Sequence, residues 1–128
     1  MVINPALAIL DNVFIYNAGY DGSSAYGLYI SGSDKVTIKG TTKVGSSKSY
    51  ELYATSSTNL KIYNSTFTGK NLALIEDSDS FLVENSVFKD TSSGDNGVYI
   101  KNTDSGIFKF NTITNSASDG TSDFGSIY

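Results

Sequence analysis

The chain has 128 residues, enough for one domain with a modest core, and its 39% hydrophobic content favours many short strands over a thick helical core. Nine lysines, no arginine and thirteen acidic residues give a net charge of −4. No basic stripe can therefore neutralise phosphates, which argues against a nucleic acid as partner and equally against an anionic membrane.

The opening segment, MVINPALAILDNV, has no basic n-region, only a brief apolar run and no small-residue cleavage signature. It therefore predicts neither a secretory signal peptide nor a membrane span. Cysteine is absent, so the chain can form neither a disulfide framework nor a thiolate metal site, and histidine is absent too.

From Gly27 onward, one motif recurs along the chain. The copies are GLYISGSDKVTIKG, YELYATSSTNLKIYN, LALIEDSDSFLVEN and a fourth that opens with GVYI. Each alternates apolar and polar residues on both sides of a polar turn, which predicts two short strands. A third strand follows, because single apolar residues stand just past a second turn in every copy: Val44, Phe67, Phe88 and Ile113. Three strands in roughly 22 residues describe one coil of a parallel β-helix.

Stacking the copies predicts columns of inward-facing side chains. Two columns contain Leu28, Leu52, Ala73 and Val98, and Ile30, Ala54, Ile75 and Ile100. A third contains Val13, Val36, Leu60 and Phe81. The fourth copy fits only with an insertion that brings Phe108 and Phe110 inward. A further column, whose amides we expect to hydrogen-bond along the stack, contains Asn17, Asn64, Asn85 and Asn111.

The segments LKIYNSTF and FLVENSVF, with VTIKGTTKV as a looser copy, follow the pattern h-x-h-x-N-x-x-h, in which h is apolar. This pattern resembles the right-handed parallel β-helix of the pectate lyase-like superfamily, over nearly the whole chain. The resemblance implies an all-β solenoid of about five coils with three short strands each. We expect one domain over residues 1–128, complete or part of a longer solenoid. Lyases, hydrolases, adhesins, phage spikes and surface-layer proteins share this fold, so it does not specify a function.

If the chain were an enzyme, the resemblance would imply an Arg or Lys base, clustered Asp, His and basic residues that bind the substrate. A chain without Arg, His and Trp departs from these patterns, and we predict no catalytic residues. Carboxylate pairs for glycoside hydrolysis could be drawn between Asp79 and Asp104 or between Glu84 and Asp90, but nothing in their context indicates a burying pocket. A polysaccharide lyase or glycoside hydrolase is the alternative function.

The densest acidic cluster is EDSDS, residues 76–80. The alignment of the turns places Asp79 one coil below Asp104 and near Asp77, and hard oxygen ligands at this spacing could hold Ca²⁺. We favour the alternative, a solvated turn in which the aspartates cap backbone N–H groups. Calcium at Asp77, Asp79 and Asp104 is the cofactor that the sequence leaves open.

Tyr29, Tyr53, Leu74 and Tyr99 should form an outward-facing column. Aromatic faces spaced along a rod are suited to stacking on sugar rings, so Tyr29, Tyr53 and Tyr99 are candidate polysaccharide-binding residues. The alternative, which we favour at this point, is that stacking between coils only stabilises the solenoid.

Both ends of the sequence look like half coils: ALAILDNVFIYN matches the second half of a repeat, and SDFGSIY resembles the first half. We expect either adjoining coils of a longer chain or end-to-end stacking of copies, which would bury Leu7, Ile9, Phe124 and Ile127. The sequence therefore predicts a structural or surface-binding module of an extracellular, surface-layer or phage-type protein, located outside the cell or on a cell or virion surface.

Overall fold

The computed structural model describes residues 1–3, 7–16, 26–45, 49–90 and 97–114. These ranges contain short β-strands and no helix, and therefore no helix long and apolar enough to cross a membrane. In chain order the strands are β1 (Val2–Ile3), β2 (Ala8–Asp11), β3 (Phe14–Tyr16), β4 (Leu28–Ser31), β5 (Val36–Lys39), β6 (Lys43–Gly45), β7 (Tyr50–Thr55), β8 (Lys61–Tyr63), β9 (Thr66–Gly69), β10 (Asn71–Glu76), β11 (Leu82–Glu84), β12 (Val87–Asp90), β13 (Val98–Lys101), β14 (Ile107–Lys109) and β15 (Thr112–Thr114).

The strands pair in parallel and form three sheets of five strands each. Sheet A has the order β1-β4-β7-β10-β13, sheet B the order β2-β5-β8-β11-β14, and sheet C the order β3-β6-β9-β12-β15. Neighbouring strands of a sheet are one full coil apart in the chain, so the backbone winds as a solenoid with three strands per coil. The prediction of an all-β parallel β-helix is confirmed.

The core consists of the side chains that point inward from all three sheets. In sheet A the register places Leu28 beside Leu52 and Ile30 beside Ala54, which confirms the first two columns. In sheet C, Phe67 and Phe88 stack with ring centroids 5.1 Å apart. Most large members of these columns are fully buried, and each contributes on the order of 1.5–3 kcal/mol before the entropy cost is subtracted.

The third predicted column is wrong in the first coil. Sheet B pairs Ala8 with Val36, so Ala8 occupies the position that was assigned to Val13. Val13 follows the next corner, where its carbonyl accepts a hydrogen bond from the N–H of Lys43. In the first coil, apolar and polar residues alternate with period two in two successive stretches. Periodicity alone does not show which stretch precedes the corner, and this is why Val13 was assigned to the wrong sheet.

The insertion predicted near Phe108 is also wrong. β14 pairs with β11 without a gap, with Phe108 beside Val83, and Phe110 points outward with 75% of its surface exposed. Gly106 stands where the three preceding coils have the large apolar residues Val36, Leu60 and Phe81. The ring of Phe81 fills that space, since a Cβ atom at Gly106 would lie 2.0 Å from the Cε1 atom of Phe81.

Of the asparagines predicted to hydrogen-bond along the stack, Asn111 does so: its Nδ2 donates to the carbonyl of Val83 in the neighbouring coil at 2.9 Å. The other described members, Asn64 and Asn85, have a different role. Asn64 and Asn85 are exposed and have φ of 50°, a left-handed conformation that asparagine tolerates better than most residues. Asn111 lies one position later in its coil, and Asn17 lies outside the described residues. Asn64 and Asn85 recur at this corner because the backbone turns, and their side chains are not needed for a ladder.

One residue after this corner, side-chain oxygens of serine and of Asn111 form a ladder of acceptors for backbone N–H groups. The N–H of Ser65 donates to the Oγ of Ser86 at 3.2 Å, and the N–H of Ser86 donates to the Oδ1 of Asn111 at 2.9 Å. A second ladder at the corner between sheets A and B runs from Ser33 through Ser57 to Ser78. These serines are buried and hydrogen-bond the backbone of adjacent coils where strand pairing is interrupted.

The core register is tested by replacing Leu60, which is fully buried, with aspartate. Leu60→Asp buries an unpaired charge, and we expect a loss on the order of 5 kcal/mol or more, enough to unfold a small domain. Lys61→Asp, at the exposed neighbouring position, is the matched control and should melt near the parent temperature. Cooperative melting of Leu60→Asp at the parent temperature, followed by circular dichroism, would contradict this core.

Candidate functional site

The predicted tyrosine column lies on the outer face of sheet A. The register aligns Tyr29 with Tyr53, Tyr53 with Leu74, and Leu74 with Tyr99, and all four side chains are half-buried. They face outward because their strand neighbours point into the core, as alternation along a strand requires. Leu74 separates Tyr53 from Tyr99, so the candidate binding residues fall into a pair and a more distant third.

Two further tyrosines join the pair. Tyr26, just before β4, lies 4.9 Å from Tyr53 and 5.3 Å from Tyr29 between ring centroids, and Tyr50 lies 6.5 Å from Tyr53. Tyr29 and Tyr53 are 5.2 Å apart, close to the spacing of adjacent strands. We call Tyr26, Tyr29, Tyr50 and Tyr53 the tyrosine platform.

The sequence pattern did not single out Tyr26 and Tyr50, because neither belongs to the alternating stretch that predicted the column. A signal for them exists. Each precedes a column tyrosine by three residues, in the pairs Tyr26–Tyr29 and Tyr50–Tyr53 of two successive copies. A residue type that recurs at the same place in adjacent copies of a solenoid is brought to neighbouring points on one surface.

Glu76 anchors one edge of the platform. The hydroxyl of Tyr53 donates a hydrogen bond to Oε1 of Glu76, and the Nζ of Lys101 lies 2.6 Å from Oε2. The hydrogen bond to Glu76, with a contribution from burial, raises the pKa of Tyr53 to about 12. The hydrogen bonds from Lys101 and Tyr53 lower the pKa of Glu76. Glu76 and Lys101 therefore neutralise each other while they hold the ring of Tyr53 in place.

The acidic turn has a different arrangement. Asp77 is exposed and occupies a left-handed position with φ of 48°, while Oδ1 of Asp79 accepts a hydrogen bond from the N–H of Asp104 at 2.8 Å. Among the described residues, no three acidic side chains lie close enough together to hold a metal ion. Calcium at Asp77, Asp79 and Asp104 stays a sequence prediction, and the observed role of Asp79 is to cap a backbone N–H.

The carboxylate pairs considered for hydrolysis are engaged in other contacts. Glu84 forms an ion pair with Lys109, with 3.4 Å between Oε1 and Nζ. Asp79 and Asp104 are both exposed, and the side chain of Asp90 lies outside the described part of the chain. None of these contacts encloses a carboxyl group in an apolar cleft of the kind that glycoside hydrolysis requires.

Glu51 is a buried acid that the alternation did not reveal. It lies in β7 at a position where two other copies have Gly27 and Gly97 and the third has Leu72, and its side chain is fully buried. Gly69 makes room for it, because a Cβ atom there would lie 1.7 Å from Oε1 of Glu51. The carboxylate thus occupies a space that Gly69 of its own coil and Gly27 of the preceding coil leave open, and it lies inside the solenoid, away from the platform surface.

A groove of about 240 Å³ lies on the outer face of sheet B. Its lining combines two lysines with polar and apolar neighbours: Leu7, Ile9, Lys35, Thr37, Asn59 and Lys61. The volume is below the range of about 300–1,000 Å³ that is usual for small-molecule sites. The tyrosine platform is therefore the stronger candidate for a binding surface.

Residues 4–122 match the family model for the right handed beta helix region. The chain belongs to this right-handed β-helix family. The match covers every described strand except β1, and a right-handed β-helix agrees with the parallel pairing in all three sheets. No curated protein and no solved structure matches the chain in the same comparisons. The family establishes the solenoid and leaves the choice between a structural module and a carbohydrate-active enzyme to the surface residues.

The contact between Tyr53 and Glu76 can be tested by titration. In the parent protein Tyr53 should ionise at about pH 12, whereas an ordinary tyrosine ionises near pH ~10. The pKa of Tyr53 is higher in the folded protein than in the unfolded chain. The contact therefore contributes fully to stability below the pKa that Tyr53 has in the unfolded chain, and this contribution disappears as the pH rises through about 12.

The measurement is nuclear magnetic resonance of ring-labelled tyrosine, with Tyr53→Phe to assign the signal. Glu76→Gln should move the pKa of Tyr53 toward its ordinary value, and Glu84→Gln, the matched control on sheet B, should leave it unchanged. An unaltered titration of Tyr53 in Glu76→Gln would show that Glu76 is not the cause of the raised pKa.

Proposed function

We propose that this β-helix is a structural, surface-binding module whose tyrosine platform binds carbohydrate. The observation that carries the proposal is the cluster of four half-exposed rings, with centroid distances of 4.9–6.5 Å, on the outer face of sheet A. Stacking only between coils would need one ring per strand. Here each of two adjacent coils contributes two rings, Tyr26 and Tyr29 from one and Tyr50 and Tyr53 from the next, and the added pair widens the surface sideways.

The platform has the properties that favour sugar binding. Tyrosine offers an apolar face for the C–H groups of a pyranose and a hydroxyl for hydrogen bonding at its edge. The rings stand on central strands that pair on both sides, and Tyr53 is held by Glu76. Little conformational entropy is left to lose on binding, which favours affinity for a weakly interacting ligand such as a glycan.

The charges beside the platform favour an uncharged glycan. Glu76 and Lys101 neutralise each other at its edge, and the protein as a whole carries a net charge of −4. A polyuronate would approach this surface against the overall charge, whereas a neutral polysaccharide would not. Binding to neutral glycans fits a module that is located outside a cell or on a cell or virion surface.

A glycan array with neutral and acidic polysaccharides tests the proposal. We expect binding to neutral glycans, confirmed by calorimetry, and a loss of tenfold or more in affinity for Tyr29→Ala, equivalent to about 1.4 kcal/mol. Tyr53→Phe retains the ring and should retain most of the binding. Tyr63→Ala, on the outer face of sheet B, is the matched control.

Two results would contradict the proposal. The first is no binding to any glycan of a broad panel, which would return the platform to a purely stabilising role. The second is equal loss of binding in Tyr29→Ala and Tyr63→Ala, which would show that the ring cluster is not the site. Circular dichroism of each variant separates loss of binding from loss of fold.

The enzymatic alternative has its own test. A lyase or hydrolase assay on pectin, alginate and related polymers should detect no cleavage, because Asp79 caps a backbone N–H and Glu84 is paired with Lys109. Reproducible turnover that Asp79→Asn abolishes would favour the carbohydrate-active enzyme over the binding module. The neighbouring change Asp77→Asn is the control for a general effect of removing charge from this turn.

A further inference from the structure

The coils of this solenoid cannot be joined by disulfides, because the chain contains no cysteine. The tyrosine platform instead brings phenol rings of two adjacent coils into contact. Oxidation can join two tyrosines through a carbon–carbon bond between their rings, provided that the rings already lie side by side. The platform therefore meets the first requirement for a covalent cross-link between coils.

Tyr53 is the ring that contacts both tyrosines of the preceding coil. Its centroid lies 4.9 Å from that of Tyr26 and 5.2 Å from that of Tyr29, with interplanar angles of 53° and 34°. A tilt brings the edge of one ring nearer to its neighbour, and the carbon atoms that couple, those beside the hydroxyl-bearing carbon, are edge atoms. All three rings are half-buried at the surface, so an oxidant can reach them and small rotations can align them.

The hydroxyl of Tyr53 also has a proton acceptor. A phenol that loses an electron becomes a strong acid, so its oxidation at neutral pH is easier when a hydrogen-bonded base takes the proton. Oε1 of Glu76 accepts the hydrogen bond from this hydroxyl, and Lys101 pairs with Oε2 of the same carboxylate. The ion pair keeps Glu76 ionised, and it fixes the carboxylate beside the ring. Tyr53 is therefore the platform tyrosine at which we expect the first oxidation.

We propose that Tyr53 is a site of oxidative cross-linking, at which its ring is bonded to a tyrosine of the preceding coil, with Tyr26 as the nearer partner. The oxidant is hydrogen peroxide acting through a peroxidase. It takes one electron and one proton from each of two phenols, and it is reduced to two molecules of water. The proton of Tyr53 leaves through Glu76 to the solvent.

The two phenoxyl radicals then form one carbon–carbon bond between ring carbons beside the hydroxyl groups. The hydrogen on each of these carbons moves to the phenol oxygen, so both hydroxyls are restored and the product has lost two hydrogen atoms in total. The fold favours this product over a bond between two molecules, because rings held in contact within one chain react at a high effective concentration. The reaction needs only the proximity of the rings, and it is therefore independent of glycan binding.

The test treats the dilute protein with hydrogen peroxide and a haem peroxidase, without any glycan. We expect a monomeric product with dityrosine fluorescence and a mass lower by two hydrogen atoms. The cross-link encloses one coil and restricts the unfolded chain, so Tm should rise by roughly 10 °C. Tyr53→Phe should reduce the yield of this product tenfold or more, and so should the double variant Tyr26→Phe/Tyr29→Phe. Tyr63→Phe, on the outer face of sheet B, is the matched control and should react like the parent.

Three results would overturn the inference. They are an unchanged yield in Tyr53→Phe, cross-linked peptides that do not contain Tyr53, and covalent dimers as the only product. Phenylalanine retains the ring, and circular dichroism checks that each variant is folded; if Tyr53→Phe is not, the double variant decides.

The role of Glu76 has a separate readout, the initial rate of coupling. Glu76→Gln removes the base and should slow the reaction severalfold, whereas Glu84→Gln, on sheet B, should leave the rate unchanged. Equal rates in Glu76→Gln and the parent would contradict the assignment of Glu76 as the proton acceptor.

Discussion

Backbone hydrogen bonds between coils are the interaction on which the rest of this structure depends. A single coil contains no partner for its own strands, so its N–H and C=O groups are satisfied only by the coils above and below. Every coil must therefore turn at the same places. Three columns of left-handed residues mark these corners: Gly32, Ser56, Asp77 and Asn102; Lys35, Asn59, Ser80 and Ser105; and Asn12, Gly40, Asn64, Asn85 and Phe110.

The buried serines extend this constraint to the corners, where strands end and pairing between backbones is interrupted. Ser57 illustrates the arrangement: its hydroxyl donates to the carbonyl of Thr55 and accepts from the N–H of Ser33. A buried N–H without such a partner costs about 1–3 kcal/mol, so one small hydroxyl per corner has a large effect. With the backbone satisfied internally, the outward positions are free to carry residues such as the tyrosines.

The fold was predictable from the sequence because copies that align without gaps determine which side chains share a column. Tyr29 and Tyr53 were placed correctly for this reason. The errors arose at the corners, where φ and not hydrophobicity decides the register. Asn64 repeats because it turns the chain, and Phe110 turns the chain too, although its side chain suggests a core position. Glu51 could not be predicted, because its space depends on Gly69, a residue of another strand in the same coil.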